Sequence, residues 1–535
     1  MDKTEMLQDL ISKGFFPREL VPAFTTQSLA SIAVTDIIPS IVQFNRLCKT
    51  SVYGRHSIAR VGHSRRILAI PNPIHQLKLF QTIVENWEVI ENHINLSDLS
   101  LSKPIYNKDS KRAFSRAREL ADISVERVLR SIHSHYLLKI DISKFYASIY
   151  THSIPWALHS KLEAKRNRND RQLLGNILDS DVRVMQDGQT VGIPTGPDSS
   201  LIISEIIGSA IDVEINVKVK GIRDGFRYMD DYFLFFGSKA EAETALSEVR
   251  LILGGYELEM NADKSKIISL PEILEPQWVS DLRLHQISSN SVEEECKHII
   301  SYFSKAFEYH KRFPDEYVLV YALNKNKKLL VEPDNWPLFE SIILNIILNC
   351  PTAIKVAVSI FENYRWYGYA NDVSRVSLTI NEIILHHSRL NHGREVCWAL
   401  WLAMVMNVSI HDSTVDEIVN QDDPAIALVF LDLHSKGLAK ADTNFDYWFS
   451  LMNESSLTNE FWLLAYEANI KGWLSTPNDY ISGNNFFSLL REKGISFYDT
   501  NKLFTLSDID DEKEFDRIQA ESDDEDLTSG ISPAH

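Results

Sequence analysis

The pattern of apolar and polar positions changes texture near residue 285. Before it, short β-type runs interleave with helical spacing. The segment RRILAIPNPIHQLKLFQTIVENW, from Arg65, begins as a strand on Ile67, Leu68 and Ile70. Pro71 and Pro73 stop that strand, and a helix follows on Leu77, Phe80, Ile83 and Trp87. Residues 103–130 are basic and mostly helical in pattern, and YLLKI (136–140) reads as a strand ending on Asp141. Residues 192–200, Gly-Ile-Pro-Thr-Gly-Pro-Asp-Ser-Ser, lead into the apolar helix LIISEIIGSAI, with Pro197 suited to its first turn. The aromatic runs GFRYM and YFLFF meet across Asp230-Asp231, which predicts a hairpin with the two acids as its joint. A helix over 239–253, a Gly-Gly turn and LEMNADKSKI complete this half.

After 285, helical patterns of about 12–18 residues alternate with short polar breaks up to about residue 500. The aromatic cores WALWLA, ALVFLDL and FWLLAYEA begin at 398, 427 and 461, spacings of 29 and 34 residues. Such spacing resembles stacked helix pairs in a HEAT-like solenoid, with an ordinary helical bundle as the alternative.

Length and composition narrow the class. The chain of 535 residues is 44% hydrophobic and 24% charged, ordinary for a soluble protein, and at roughly 150 residues per domain it accommodates three or four domains. Its longest apolar run, Val396–Met406, has eleven residues, well short of the roughly 20 a membrane span needs. Met-Asp-Lys-Thr-Glu starts no secretory signal. Cys48, Cys296, Cys350 and Cys397 form no CxxC pair, which argues against a disulfide scaffold or a zinc site and fits a reducing, cytoplasmic setting.

The net charge of −18 is unevenly placed. Residues 1–280 are neutral, with 34 basic and 34 acidic side chains, so the whole excess lies beyond them; half of it, −9, falls between Asp508 and Asp526. Residues 51–170 carry 19 bases against 11 acids, a zone suited to a polyanion. The acidic tail has the composition of a disordered segment.

Three carboxylates then stand out. A single acid at a strand end is usually a turn-former or cap. Two adjacent carboxylates between apolar strands, Asp230 and Asp231, repel one another and need a counterion. A divalent cation with a preference for hard oxygen supplies one. With Asp141 brought in from another strand, the set suits a pair of magnesium ions that activate a 3′-hydroxyl and neutralise departing pyrophosphate.

LLKIDISKFYASIY, GIPTGPDSS, RYMDDYFLFF and LEMNADKSKI resemble, in order, motifs A, B, C and D of reverse transcriptases, and Arg66-Ile-Leu-Ala-Ile-Pro71 resembles their fingers motif. The resemblance covers roughly residues 60–285. It implies an α+β fold with a right-hand palm-and-fingers reverse transcriptase domain over 61–285. A helical extension (1–60) precedes it; an all-α, HEAT-like repeat domain (286–505) and an acidic tail (506–535) follow. It implies Asp141, Asp230 and Asp231 as metal ligands together with the Ile142 backbone, with Mg²⁺ (Mn²⁺ as substitute) the cofactor. Tyr146, five residues after Asp141, matches an aromatic gate against the ribose 2′-hydroxyl; plain core packing is the alternative. Gly196 matches the glycine that lets backbone approach template and nucleotide, and Thr195 stands where many relatives have Gln. Lys264, with Lys266 as rival, matches a proton donor to pyrophosphate. Arg66, with Arg65 as rival, matches the arginine that grips triphosphate. For Lys264 and Arg66 a plain surface charge is the alternative.

Closer wording narrows the resemblance. IYTHSIPWALHSK (149–161), GIPTGPDSSLIISEI, GREVCWALWLA and AYEANIKGWL are similar to the abortive-infection and defence-associated reverse transcriptases of bacteria. That implies a cytoplasmic bacterial enzyme polymerising dNTPs in anti-phage defence, untemplated and protein-primed, with single-stranded DNA as product. The alternatives are synthesis templated by a non-coding RNA and a non-catalytic nucleic-acid-binding scaffold. A homo-oligomer is expected if aromatics such as Trp366, Trp398 and Trp473 face solvent, and no membrane partner is expected.

Overall fold

The computed structural model describes residues 2–60, 65–119, 122–288 and 291–502. After N-terminal helices between Lys3 and Leu47, the first strands form two small antiparallel hairpins: β1 (Gly54–Ala59) with β2 (Arg65–Ile70), and β3 (Pro104–Tyr106) with β4 (Phe114–Arg116). The central sheet comprises β5 (Tyr136–Asp141), β6 (Asp224–Tyr228), β7 (Asp231–Phe236) and β8 (Lys266–Ser269). Its order is β6-β7-β5-β8, antiparallel throughout.

Side chains alternate across a strand, and here the two faces enter two different cores. Leu138, Ile140, Tyr232, Leu234 and Phe236 join the main hydrophobic core. Leu137, Phe226, Phe233 and Phe235 form a smaller cluster on the opposite face, with Phe226 stacked on Phe233 at 4.7 Å. Lys139, Asp141 and Asp231 share the parity of that second face. The sheet is thus apolar on one side and carries charge at one end of the other.

The strand around Ile67–Ile70 forms as the pattern predicts, and so does the helix over Leu77, Phe80 and Ile83, but that helix ends at Glu85 and Trp87 opens a second one, Trp87–Ile94. Asn72 caps helix Pro73–Glu85, its side chain accepting from the Ile74 N–H. Residues 103–130 depart from their helical pattern, because β3–β4 occupies the first part and only Asp122–Arg130 is helix. An Asx turn at Asn107, whose side chain accepts from the Asp109 N–H, starts the reversal. Asp198 holds its return strand by accepting from the Phe114 N–H. The helix expected over 239–253 extends to Gly255 and ends in a turn at Glu257, which has φ +62°.

Beyond residue 285 the described chain is helical. The three aromatic cores lie in helices Gly393–Met406, Pro424–Ser435 and Trp462–Ile470, each packed on the next. Helix Gly393–Met406 also lies against β1. Large rings are buried with their polar edges satisfied: the indole N–H of Trp398 donates to the Glu19 carbonyl (2.8 Å) and that of Trp462 to the Ile70 carbonyl (3.0 Å). Trp398 is therefore interior and Trp473 packs partly buried against the core, which leaves Trp366 exposed, at 74%. The segment near Phe497 returns to the N-terminal region. Thr25 N–H donates to the Phe497 carbonyl, Asp499 N–H to the Ala23 carbonyl, and Phe15 and Phe16 pack on Phe497. One hydrophobic core thus includes residues from all three expected segments between 2 and 502. The acidic tail expected over 506–535 lies outside the described residues. No described helix is long and apolar enough to cross a membrane, and all four cysteines are free.

Glu467 stands under this returning segment, accepting from the Phe497 N–H and the Ser496 hydroxyl. Burial pushes its carboxyl up from 4.5 to about 7, against those two hydrogen bonds. Between these values the folded chain keeps a proton that the unfolded chain has lost, so stability falls as pH rises through that window. Urea denaturation should show a loss on the order of 3 kcal/mol between pH 4.5 and 7.5 from this group, absent in Glu467→Gln. A wild-type slope matching the variant's would remove Glu467 as its source.

Candidate active site

Asp141 is the last residue of β5, and its cross-strand partner is Asp231, the first residue of β7. Directly opposed residues of an antiparallel pair project to the same face, so the register alone brings these two carboxylates together. Asp230 precedes Asp231 in the β6–β7 connection. The ladder closes on Tyr228 and Asp231, so the turn is the pair Met229-Asp230 and not the two acids. Met229 takes the left-handed conformation that a tight two-residue hairpin favours (φ +54°). The three aspartates are 1%, 3% and 6% exposed. Ile142 continues the site past the strand: its N–H donates to the Asp230 carbonyl (3.3 Å) and it bridges Met260.

Two ammonium groups face this set. Lys264 Nζ lies 4.0 Å from Asp141 Oδ2, and Lys139 Nζ lies 3.8 Å from Asp231 Oδ1 and over the Phe233 ring. Lys139 was not singled out from the sequence. Its signal is strand parity, two residues before Asp141 on the same face. Lys266 starts β8 opposite Lys139.

Behind the turn is a buried ionic network that the motifs did not reveal. Arg227, 1% exposed, donates through Nη1 to Glu205 Oε1 (2.8 Å) and through Nε to Asp212 Oδ1 (2.9 Å). The same Nη1 reaches the Met229 carbonyl at 2.7 Å. Ser102 Oγ donates to Glu205 (2.7 Å) and accepts from the Met229 N–H (2.8 Å). Both backbone polar groups of Met229 are thereby held from behind. Burial raises the Glu205 carboxyl, but the Arg227 charge outweighs it and holds the group below its ordinary value. Helix Asp198–Lys218 presents Glu205 and Asp212 two turns apart, the signal present in its sequence. Gly208 lies between them, where an added Cβ would sit 2.7 Å from the guanidinium carbon. Removing one member of a buried ion pair strands the others at a cost of about 3–5 kcal/mol. Arg227→Leu should destabilise the chain by that amount in denaturant titration. A loss under about 1 kcal/mol would mean this network is not what secures the turn.

The remaining candidates lie on other elements. Tyr146, half-buried on the turn after β5, contacts both cores; its hydroxyl accepts from Ser204 Oγ (3.4 Å) and its carbonyl from the Ile193 N–H. The Thr195 carbonyl accepts from the Ala69 N–H (2.8 Å), tying the loop before the long helix to β2. Gly196 has φ +124°, and a Cβ there would meet Pro17 Cγ at 2.6 Å. The close approach requiring glycine is thus made by the chain's own N-terminal segment. Arg112 clamps the same loop, donating to the Gly196 carbonyl and to Asp198 Oδ1 (2.9 Å). Arg66 pairs across β1–β2 with Ile58. Arg65, its neighbour of opposite parity, is engaged with Glu395 (Nη2–Oε2 2.9 Å), which makes it a structural contact.

Residues 63–282 match the family model described as reverse transcriptase (RNA-dependent DNA polymerase). The chain therefore carries a reverse transcriptase domain, of the nucleotidyltransferase class. No curated protein matches it. Among solved structures it is similar to telomerase from Candida albicans in complex with a TWJ fragment of telomeric RNA. The two are 12% identical, with 68% of this chain and 67% of that one covered and a TM-score of 0.28.

Proposed function

We propose that this chain is a polymerase of deoxynucleotides acting in bacterial anti-phage defence. Its DNA synthesis would be untemplated and begin on a protein hydroxyl, with a non-coding RNA template as the alternative. The carrying observation is the β5–β7 register, which opposes Asp141 to Asp231 beside Asp230 on one buried edge of the sheet. Hard carboxylate oxygens without sulfur or imidazole fit Mg²⁺, which keeps waters and shares its ligands with phosphates. Asp141, Asp230, Asp231 and the Ile142 carbonyl would hold it. When bound, the metal would supply charge stabilisation for the transferred phosphoryl group.

The chain's own groups do the rest of the work in this reading. Lys264, 4.0 Å from Asp141 Oδ2, would give a proton to pyrophosphate. The Tyr146 ring would fill the space that a ribose 2′-hydroxyl needs, and Arg66 would grip triphosphate. Thr195, shorter than the Gln of many relatives, is compatible with relaxed templating. The defence role rests on the resemblance of residues 149–161 and 192–206 and on the helical region joined to the polymerase domain.

The test is a primer-free incorporation assay on the full chain with each dNTP and rNTP and Mg²⁺ or Mn²⁺. Wild type should incorporate dNTPs and Asp230→Asn/Asp231→Asn should not. Tyr146→Val should raise the use of ribonucleotides relative to deoxynucleotides on the order of 10- to 100-fold. The same aspartate variant should lose phage protection in plaque counts. Protection that survives it would favour the non-catalytic scaffold instead.

Nucleic acid as partner has separate support. A cavity of about 660 Å³ opens where the N-terminal segment, the β3–β4 loop and the helical region meet. Lys13, Arg18, Lys111, Lys355, Lys471 and Lys502 line it, with Asp499 as an opposing acid. Phosphate contacts make affinity salt-dependent by counterion release. Lys355→Glu/Lys471→Glu should weaken single-stranded DNA binding and lower the slope of log affinity against log salt by about one to two. An unchanged slope in fluorescence anisotropy would remove these lysines from the interface.

A further inference from the structure

A second cluster of ligating side chains lies away from the palm, at the joint between the β1–β2 hairpin and the helical region. His387 sits in the last turn of helix Val373–Ser388, His392 immediately precedes helix Gly393–Met406, and Glu395 lies in that helix's first turn. The two imidazole Nδ1 atoms are 2.8 Å apart, and the three residues offer donor atoms all within 4.8 Å of one another.

The arrangement is preorganised by its surroundings. The reversal between the helices is pinned by backbone hydrogen bonds: Leu390 and His392 N–H to the His387 carbonyl, and Asn391 N–H to the Ser388 carbonyl. Asn391 takes a left-handed conformation at φ +54°. Gly393 presses this turn onto β1, since a Cβ there would fall 2.9 Å from His56 Nδ1 and 3.0 Å from the Ser57 nitrogen. Glu395, 2% exposed, is oriented by two parallel hydrogen bonds from Arg65. A carboxylate has about four lone-pair sites, so the pairing with Arg65 leaves acceptor capacity on both oxygens. A ligating carboxylate is normally anchored by such an outer hydrogen bond.

We propose that His387, His392 and Glu395 form a site for one divalent transition-metal ion of the zinc class, with water as fourth ligand. Two imidazoles and one carboxylate are an established donor set for tetrahedral zinc with an open position. Imidazole nitrogen disfavours Mg²⁺, which takes oxygen ligands. The cysteine spacing excludes only a thiolate site; this one is built from nitrogen and oxygen. Through Arg65 the bound ion would join helix Gly393–Met406 to β2, so its role would be to fasten the β1–β2 hairpin to the helical region. The inference is independent of the polymerase reading.

The test uses the full chain, stripped with a chelator and titrated with Co²⁺ in millimolar Mg²⁺. The expected result is one equivalent of Co²⁺ with the visible absorption of four-coordinate cobalt, displaced by Zn²⁺, and a higher melting temperature with Zn²⁺ present. His387→Asn/His392→Asn should lose at least tenfold in Co²⁺ affinity with its far-ultraviolet circular dichroism retained, while Asp230→Asn/Asp231→Asn binds as wild type. Wild type without stoichiometric four-coordinate cobalt overturns the proposal even if the histidine variant fails to fold. So does unchanged binding in a folded histidine variant; the two rings then share a hydrogen bond and nothing more.

Discussion

Arg227 is enclosed with Glu205 and Asp212 in a place water does not reach, and from there it holds the carbonyl of Met229. The left-handed backbone of that residue sets the direction in which Asp230 and Asp231 leave the β6–β7 turn. A buried pair of this kind gains little over a well-packed apolar core, but it is costly to break. Its value here is positional. It joins the long helix Asp198–Lys218, the Ser100–Ser102 segment and the aspartate hairpin into one polar unit. The same helix begins at Asp198, which pairs with Arg112 and anchors the loop of Thr195 and Gly196. One helix therefore orients both the metal-ligand candidates and the loop of Thr195 and Gly196.

The second constraint is how the parts of the chain close on one another. Pro17 fills the space beside Gly196, Trp398 and Trp462 reach back to carbonyls of Glu19 and Ile70, and Arg65 ties β2 to Glu395. Hydrophobic burial drives this closure, and each contact also satisfies a polar group that burial would otherwise strand. The helical region is thus part of the wall around the hairpin that carries Arg66. The basic cavity exists because three distant segments converge on it.

Charge inside the site is managed by the protein itself as well as by any metal. Adjacent aspartates between apolar strands need a counterion. In the folded chain Lys139 and Lys264 each stand about 4 Å from a carboxylate. Partial neutralisation of this kind lowers the cost of burying three acids together.

Much of the site was legible in the chain because strand period and motif order are local properties. YLLKI ending on Asp141, the aromatic runs either side of Asp230-Asp231, and Lys264 beyond them needed no tertiary information. Local pattern failed where long-range contacts override propensity. Residues 104–116 became a hairpin because Asp198 holds it through Arg112 and the Phe114 N–H, and the turn settled on Met229-Asp230 because pairing of Tyr228 with Asp231 decides where a ladder ends. Lys139, Arg227, Glu205, Asp212 and the His387–His392–Glu395 group were each visible as residues, but their partners lie on other elements. The order of chemical groups along one strand or helix follows from the chain by itself, through backbone geometry. Which groups face one another across elements, and which are shut away from water, is decided only when packing brings distant segments together.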